Sequence, residues 1–424
     1  MINRNALKNL LGFALLLICF TSNAQYKVKQ VLVANGGAFG FNGNYITIGS
    51  YNPILKKYSL FDSVTGGSVT QIIIDSGFAY MATDSYLVKY ELAGLKRVAI
   101  AKCQSLRYIA AYKGNIVAAI GYDLTTTHLK IFKKSDLSLI YSENKIPNIY
   151  CNGITIVGDS AYIALQGQYP GYNDTGRIAV EDLAHQKFKR IITLDTSTRG
   201  ISDMFSNSTT IIGVTEYPYT RISEMNILTG AKKILSLGAS SISTPFAFYD
   251  DTLYSEIEND IQGFNASNFS INKYFNLNAG YAAAALDTLN KLFYCTGASY
   301  SKPTKTWIYN YKGTPVDSFD IGIAPEGIAI DYELKSGINE AENIGQNINI
   351  YPNPTNDKLN ISGITADHAE IRIMDITGRV LYSQYTNLNA TGSLSIPVPG
   401  LVSGIYFITV QSNEGTVSRQ FVKN

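Results

Sequence analysis

The sequence predicts an all-β protein: a seven-bladed β-propeller followed by a small β-sandwich. Three observations carry this prediction. Residues 26 to 335 repeat a short pattern of turn, apolar strand, polar loop and second strand, at a spacing of roughly 35 to 50 residues. No helical period competes with strand alternation anywhere in that body. Tyrosine is in excess, with 30 residues against 18 Phe and one Trp, and aromatic residues favour strands and the loops that bind ligands.

The chain opens with Arg4 and Lys8, then the apolar run "LLGFALLLICF" from residue 10 to 20. That run is too short to cross a bilayer and has the form of a signal peptide. Residues 1–24 are expected to be removed by a cut between Ala24 and Gln25. Cys19 lacks the small residues that precede a lipidated cysteine. The remaining Cys103, Cys151 and Cys295 are widely spaced, which predicts buried free thiols rather than a disulfide frame or a zinc site.

Residues 25–335 hold the repeat. Its turns fall near Gly43, Gly77, Gly114, Gly158, Asn207, Asp250 and Asn290, and seven copies predict seven blades. A unit this small cannot bury both faces of its sheet, so the units must pack on one another. A solenoid or a pair of sandwiches are the alternatives. One unit can be laid on four strands. "NGITIVG" is innermost, "SAYIALQ" second, "GRIAVEDL" third and "FKRIITL" outermost. The early "YKVKQVLVAN" is expected to close the ring by pairing with the late "GIAIDYE". "VLVANGGAFGFNGNYITIGSY" and "APEGIAIDYE" resemble the ends of the YVTN-type surface propellers of Bacteroidetes, although "ANGGAFG" stands where many relatives carry Asn-Glu-Gly. The resemblance implies a surface protein, and some of these relatives capture cobalamin for an outer-membrane transporter.

Residues 336–347, "SGINEAENIGQN", are small, polar and without period, as a linker is. Residues 348–424 alternate clearly in "AEIRIMD" and "GIYFITVQS", with turn glycines Gly378 and Gly415, and predict about seven short strands in a sandwich. Pro352 and Pro354 in "YPNPTNDKLNISG" donate no backbone hydrogen bond and hold their neighbours extended. This tail resembles the type A C-terminal sorting domain of the Bacteroidetes type IX secretion system. The matching residues are Tyr351, Pro352, Asn353 and Pro354, then Gly378 in "DITGRVL", Gly404 and Tyr406 in "LVSGIYFITV", and Lys423 in the ending "FVKN". The resemblance implies export across the outer membrane by the type IX machinery, with release or anchoring at the surface.

A net charge of +2 with 16% charged residues implies no nucleic-acid partner. Catalytic signatures are missing. His128, His185 and His368 fall in different units and read as surface residues. No His-x-x-x-His, paired Cys, calcium loop or Gly-x-Ser-x-Gly elbow appears, so no metal, cofactor or catalytic residue is predicted. "GGAFGFNG" precedes no helix that would offer an anion site. Asp203, Glu256, Glu258 and Asp260 are acids that a channel or turns would hold.

Binding has more support. In a propeller, the connections between second and third strands open on the same face as those between blades. The first set is expected to carry Tyr51, Tyr169, Tyr172, Arg177, Tyr217, Tyr219, Arg221 and Tyr300. The second carries Arg107, Tyr108, Tyr150, Arg199 and Tyr281. Aromatic rings with a few arginines suit a planar polar ligand or a glycan. The other explanation is that Tyr and Pro only stiffen long loops. Asp-Ser or Asp-Thr before an apolar residue also resembles the Bacteroidetes O-glycosylation motif, at Ser63, Ser160, Thr252 and Thr288, although these dipeptides are common in turns. The leading expectation is a secreted propeller that captures a ligand, cobalamin or another nutrient. The alternatives are a propeller enzyme, lyase or glycosidase, and an adhesion or structural surface protein.

Overall fold

The fold is that of a computed structural model. It describes residues 26–37, 45–121, 127–144, 150–166, 175–197, 200–215, 219–238, 245–277, 280–334, 348–363, 368–375, 379–387, 393–412 and 415–424. Among these, every regular element is a strand. The chain divides into two compact units, Val28–Glu333 and one that contains Leu334–Asn424.

The first unit is built from seven four-stranded sheets. Blades two to seven each begin with their innermost strand: Val69–Asp75, Leu106–Tyr112, Tyr150–Val157, Asp203–Ser206, Ala247–Tyr249 and Tyr281–Asp287. Each then runs outward in chain order. In blade four the order is Tyr150–Val157, Ser160–Gln166, Gly176–Asp182 and Lys187–Asp195, as the sequence predicted. Tight turns set the register. In blade two Ser76 and Gly77 both have positive φ (50° and 79°), the geometry of a two-residue hairpin turn whose twist matches its strands.

Burial explains the sequence pattern. The second strands Phe78–Thr83 and Thr210–Thr215 are buried almost end to end, because a blade has a neighbour on each face. The outer strands Lys96–Lys102 and Lys232–Gly238 are mostly exposed, and their lysines guard an open sheet edge against pairing with another chain. The apolar cores lie between blades, not within them. One cluster joins Leu32 and Ile48 of blade one to Ile72 and Met81 of blade two. Five more join each next pair. A seventh joins Tyr294 and Phe319 of blade seven to Val31 and Tyr51 of blade one, so the ring closes. Each buried Val, Leu, Ile or Phe contributes about 1.5–3 kcal/mol, so a blade without its neighbours loses most of its stabilisation.

Closure is made in blade one. Its innermost strand is the late segment Pro325–Leu334, and Tyr26–Asn35, Tyr45–Asn52 and Lys57–Thr65 follow outward. The predicted pairing of "YKVKQVLVAN" with "GIAIDYE" is therefore present. It also shifts the first repeat by one strand. The turns at Gly77, Gly114 and Gly158 lead from first to second strand, whereas Gly43, which lies outside the described residues, falls in sequence between Tyr26–Asn35 and Tyr45–Asn52, the second and third strands of blade one. A buried polar clasp crosses the closure. Gln30 donates through Nε2 to Asp331 Oδ2 (2.9 Å) and to the Leu92 carbonyl (3.2 Å), and Ser50 donates to Gln30 Oε1 (2.7 Å).

The second unit is a two-sheet sandwich of seven strands. One sheet is Asn349–Tyr351, Lys358–Ser362 and Ser393–Pro397. The other is Val380–Asn387, His368–Asp375, Gly404–Ser412 and Gly415–Lys423. Leu359, Ile371, Ile396, Ile408 and Phe421 fill its core. Tyr406 stacks on Phe421 and donates its hydroxyl to the Val402 carbonyl at 2.8 Å, which anchors the loop before its strand. The "YPNP" stretch borders the last strand. Asn353 accepts from the Val422 N–H (2.9 Å) and donates to the Gln420 carbonyl (3.2 Å), and the Thr355 N–H donates to the Val422 carbonyl (2.8 Å). With prolines on both sides of it, Asn353 uses its side-chain amide to serve as a strand neighbour.

Candidate functional site in the central channel

The innermost strands surround a cavity of about 850 Å³, within the range of small-molecule sites. All seven blades contribute to its wall. Blades two and three supply Thr70, Gln71, Arg107 and Tyr108, and blade four supplies Ile154 and Thr155. Blade five supplies Asp203, Met204, Phe205 and Ser206. Phe246 and Phe248 come from blade six, Tyr281, Ala283 and Tyr300 from blade seven, and Glu326 and Ile328 from blade one.

β-Bulges decide which side chains reach this wall. The pairing of inner and second strands slips between Val69 and Gln71, Leu106 and Tyr108, Cys151 and Gly153, and Tyr281 and Ala284. A bulge breaks strict alternation and re-aims a side chain. Thus Arg107 and Tyr108, adjacent in sequence, both line the cavity. Arg107 is exposed, and its stem crosses Gly121, where an added Cβ would stand 2.1 Å from Arg107 Cγ.

On the aromatic side of the wall, rings pack against one another. Phe246 meets Tyr281 edge to face at 5.5 Å and Phe293 behind it at 6.1 Å. Burial holds the Tyr281 hydroxyl well above its ordinary pKa, so it stays neutral. The Tyr281 N–H donates to Glu256 Oε2 (3.3 Å), a buried carboxylate on the second strand of blade six. Glu326 belongs to the wall itself. Its Oε2 accepts from the Val69 N–H at 2.7 Å, tying blade one to blade two. Gly36 leaves the room for it, since a Cβ there would sit 2.6 Å from that oxygen. Burial raises the pKa of Glu326 against the opposing pull of the Val69 N–H.

Of the residues predicted from sequence, Arg107, Tyr108, Tyr281 and Tyr300 line the cavity. Tyr150, Arg177 and Tyr219 stand at the same end of their blades, at the starts of strands or in the connection of blade five, but do not line it. Two placements are corrected. Tyr51 is buried between blades one and seven, stacked on Phe319 at 3.9 Å, with its hydroxyl 3.2 Å from Asp317. Burial raises its pKa to about 12. The closing strand makes its segment the third strand of the blade, so "SYNP" opens on the opposite face. Arg221 is committed to Asp195, a buried carboxylate at the end of blade four, at 3.5 Å. Tyr169, Tyr172, Arg199, Tyr217, Gly378, Ala24 and Gln25 lie outside the described residues.

Other expectations resolve similarly. Cys103, Cys151 and Cys295 are buried and form no disulfide. His128 is buried rather than at the surface, just before Leu129–Lys133, the third strand of blade three, while His185 is exposed and 3.1 Å from Asp182. Of the four acids, Asp203 lines the cavity, Glu256 supports it from behind, Asp260 pairs with Lys273, and Glu258 sits in a turn. The Asp-Ser/Thr dipeptides have a structural role. Asp159 accepts from the Tyr112 hydroxyl (2.6 Å) and Lys113 (2.8 Å), and Asp251 accepts from Asn207 (2.9 Å). Each latches its blade to the preceding one on the face away from the cavity mouth. Ser160, Thr252 and Thr288 beside these turns are half-buried, and Ser63 is exposed on the outer strand of blade one. Sequence reasoning missed Phe205, Phe246, Phe248 and Glu326. Phe246 and Phe248 were legible as the apolar pair of "TPFAFYD", next to an inter-blade connection.

Fold and cavity define a closed seven-bladed propeller with an amphipathic channel, carried with a β-sandwich. Residues 349–424 match the family model described as the secretion system C-terminal sorting domain. This is the sorting domain of the type IX system, and it marks the chain for export across the outer membrane to the cell surface or the extracellular space. No curated protein matches the chain. Solved structures are similar in fold. The extracellular domain of a provisionally assigned one-component system from B. thetaiotaomicron is 10% identical with a TM-score of 0.50, covering 93% of this chain and 57% of that one. Two proteins provisionally assigned as 6-phosphogluconolactonases are similar over 72% of this chain. The one from Bacteroides uniformis is 11% identical with a TM-score of 0.54 over 100% of its length, and the one from Bacteroides fragilis 10% with 0.53 over 98%. Among the described residues, no helix is long and apolar enough to cross a membrane.

Proposed function

We propose that the chain is an exported ligand-binding propeller that captures a small molecule in its central channel at the cell surface. In this reading residues 1–24 are a signal peptide and residues 25–335 the binding module. Residues 336–347 are a linker, and residues 348–424 the sorting domain that engages the type IX machinery. The observation that carries it is the cavity of about 850 Å³ with six aromatic rings and one arginine among the described residues of its wall. Such a mixture buries a ligand body and orients it through few polar groups. Enzyme chemistry has less support. Asp203 and Glu326 are the acids among the described lining residues, they stand on blades five and one, and Glu326 is bonded into the wall.

The YVTN-type resemblance makes a nutrient such as cobalamin, passed to an outer-membrane transporter, the first ligand to test. Calorimetry of the full chain should give a saturable heat with cobalamin at micromolar protein, and a flat titration removes that ligand. Deleting residues 348–424 should trap the protein in the periplasm, and unimpaired export would sink the sorting assignment. Of the four candidate sugar acceptors, Ser63 is the exposed one. Glycopeptide mass spectrometry should find sugar there and not at Ser160, Thr252 or Thr288.

A further inference from the structure

The cavity wall is divided by chemistry. Blades five, six and seven, consecutive in the ring, place Phe205, Phe246, Phe248, Tyr281 and Tyr300 on one arc of the wall, with Asp203 and Ser206 at its blade-five end. Blades two and three place Ser68, Thr70, Gln71 and Arg107 on the other side, with a single ring, Tyr108, beside the arginine. The interface cores run in chain order around the ring. In a closed ring of seven, blade three therefore lies across the channel from the junction of blades six and seven, where Phe246 and Tyr281 meet. Arg107 is the cation among the described lining residues and has no carboxylate partner among them. Of the two lining acids, Glu326 is turned to Val69 and Gly36, and Asp203 accepts from the Met204 N–H at 2.7 Å. The bulge at Arg107 and the bare Cα of Gly121 hold the guanidinium at the channel rather than in a blade interface.

We propose, resting on the capture reading, that the ligand is an anionic molecule with a flat ring system. The ring lies on the arc of blades five to seven and the acidic group, a phosphate or carboxylate, pairs with Arg107. An exposed arginine with no carboxylate partner among the described lining residues pays little to bind an anion, and its planar fork takes an oxyanion bidentately. The arc supplies ring contacts that tolerate several ring types.

The test uses the full chain and three probes: flavin mononucleotide, riboflavin and inorganic phosphate. The first two share a ring and differ in a phosphate. The expected result is quenched fluorescence on binding of flavin mononucleotide, with an affinity about tenfold or more above riboflavin and weaker at high salt. Arg107→Ala should abolish that advantage, and Phe246→Ala should weaken both flavins. Arg107 is exposed, so an unchanged melting temperature will show that its variant is folded. Equal affinities for the two flavins, unaffected by Arg107→Ala, would overturn the anionic assignment while leaving ligand capture in place. Phosphate binding as tightly as flavin mononucleotide would overturn the role of the arc. If no flavin binds, the inference fails, and the capture reading is judged separately by its own calorimetry with cobalamin.

Discussion

Replacing Gln30 by leucine should open the ring at its closing blade. Gln30, Ser50 and Asp331 lie on three neighbouring strands of blade one and are all nearly inaccessible to water. Gln30→Leu removes three hydrogen bonds at once, to Asp331, the Leu92 carbonyl and Ser50. It leaves the Asp331 carboxylate buried with one fewer donor. A lost bond to a charged group costs about 1.5–3 kcal/mol, and stranding a buried polar group adds to it, so a destabilisation of about 3 kcal/mol is expected. With a urea m value near 3 kcal/mol/M this shifts the midpoint by about 1 M. The single tryptophan, Trp307, lies on the third strand of blade seven, so its fluorescence reports the propeller and not the sandwich. The double variant Gln30→Leu, Asp331→Leu should recover a large part of the loss, because it removes both partners of the principal bond. A single variant within about 0.5 kcal/mol of the parent, or a double variant no better than the single, would refute the clasp.

Three further outcomes follow from the same geometry. Burial raises the Glu326 pKa in the folded state, so the native protein holds that proton more tightly than the unfolded chain. The associated stability is present below the ordinary glutamate pKa and is lost as pH rises through the folded value. Glu326→Gln should therefore raise the urea midpoint near pH 7 and leave it unchanged near pH 4, and a lower midpoint near pH 7 would contradict this. Asn353→Ala should cost the sandwich about 1–2 kcal/mol and speed hydrogen exchange at the Val422 amide, which donates to Asn353. Unchanged exchange there would show that the "YPNP" stretch does not hold the last strand. Gly121→Ala should displace the Arg107 stem, since a Cβ would stand 2.1 Å from Arg107 Cγ. Its flavin titration should then match that of Arg107→Ala, and a retained preference for flavin mononucleotide would show that Gly121 does not position the arginine.

Much of the architecture could be read before the structure, because a propeller is a local repeat. The strands of blade four follow one another in space as in sequence, and their apolar runs mark them. The closing pair was legible because both ends of the propeller are strongly strand-like. The position of Tyr51 was not. Its segment looks like the second strand of a repeat, and only the late strand Pro325–Leu334, arriving as the innermost strand of blade one, makes it the third. Arg221 likewise looked free, and only packing brings it to Asp195, 26 residues away. The tail motif was specific in sequence, yet the work of Asn353 depends on a strand that begins more than sixty residues later.

The sequence by itself determined the strand repeat, the seven-fold count and the sorting tail, since alternation, turn residues and short motifs are properties of neighbours along the chain. Only the tertiary structure decided which face each loop opens on, which tyrosines meet at the channel and which are absorbed between blades. Those outcomes depend on one strand crossing from the far end of the propeller and on bulges that turn Arg107 and Tyr281 toward a common space, and neither leaves a local mark in the residues themselves.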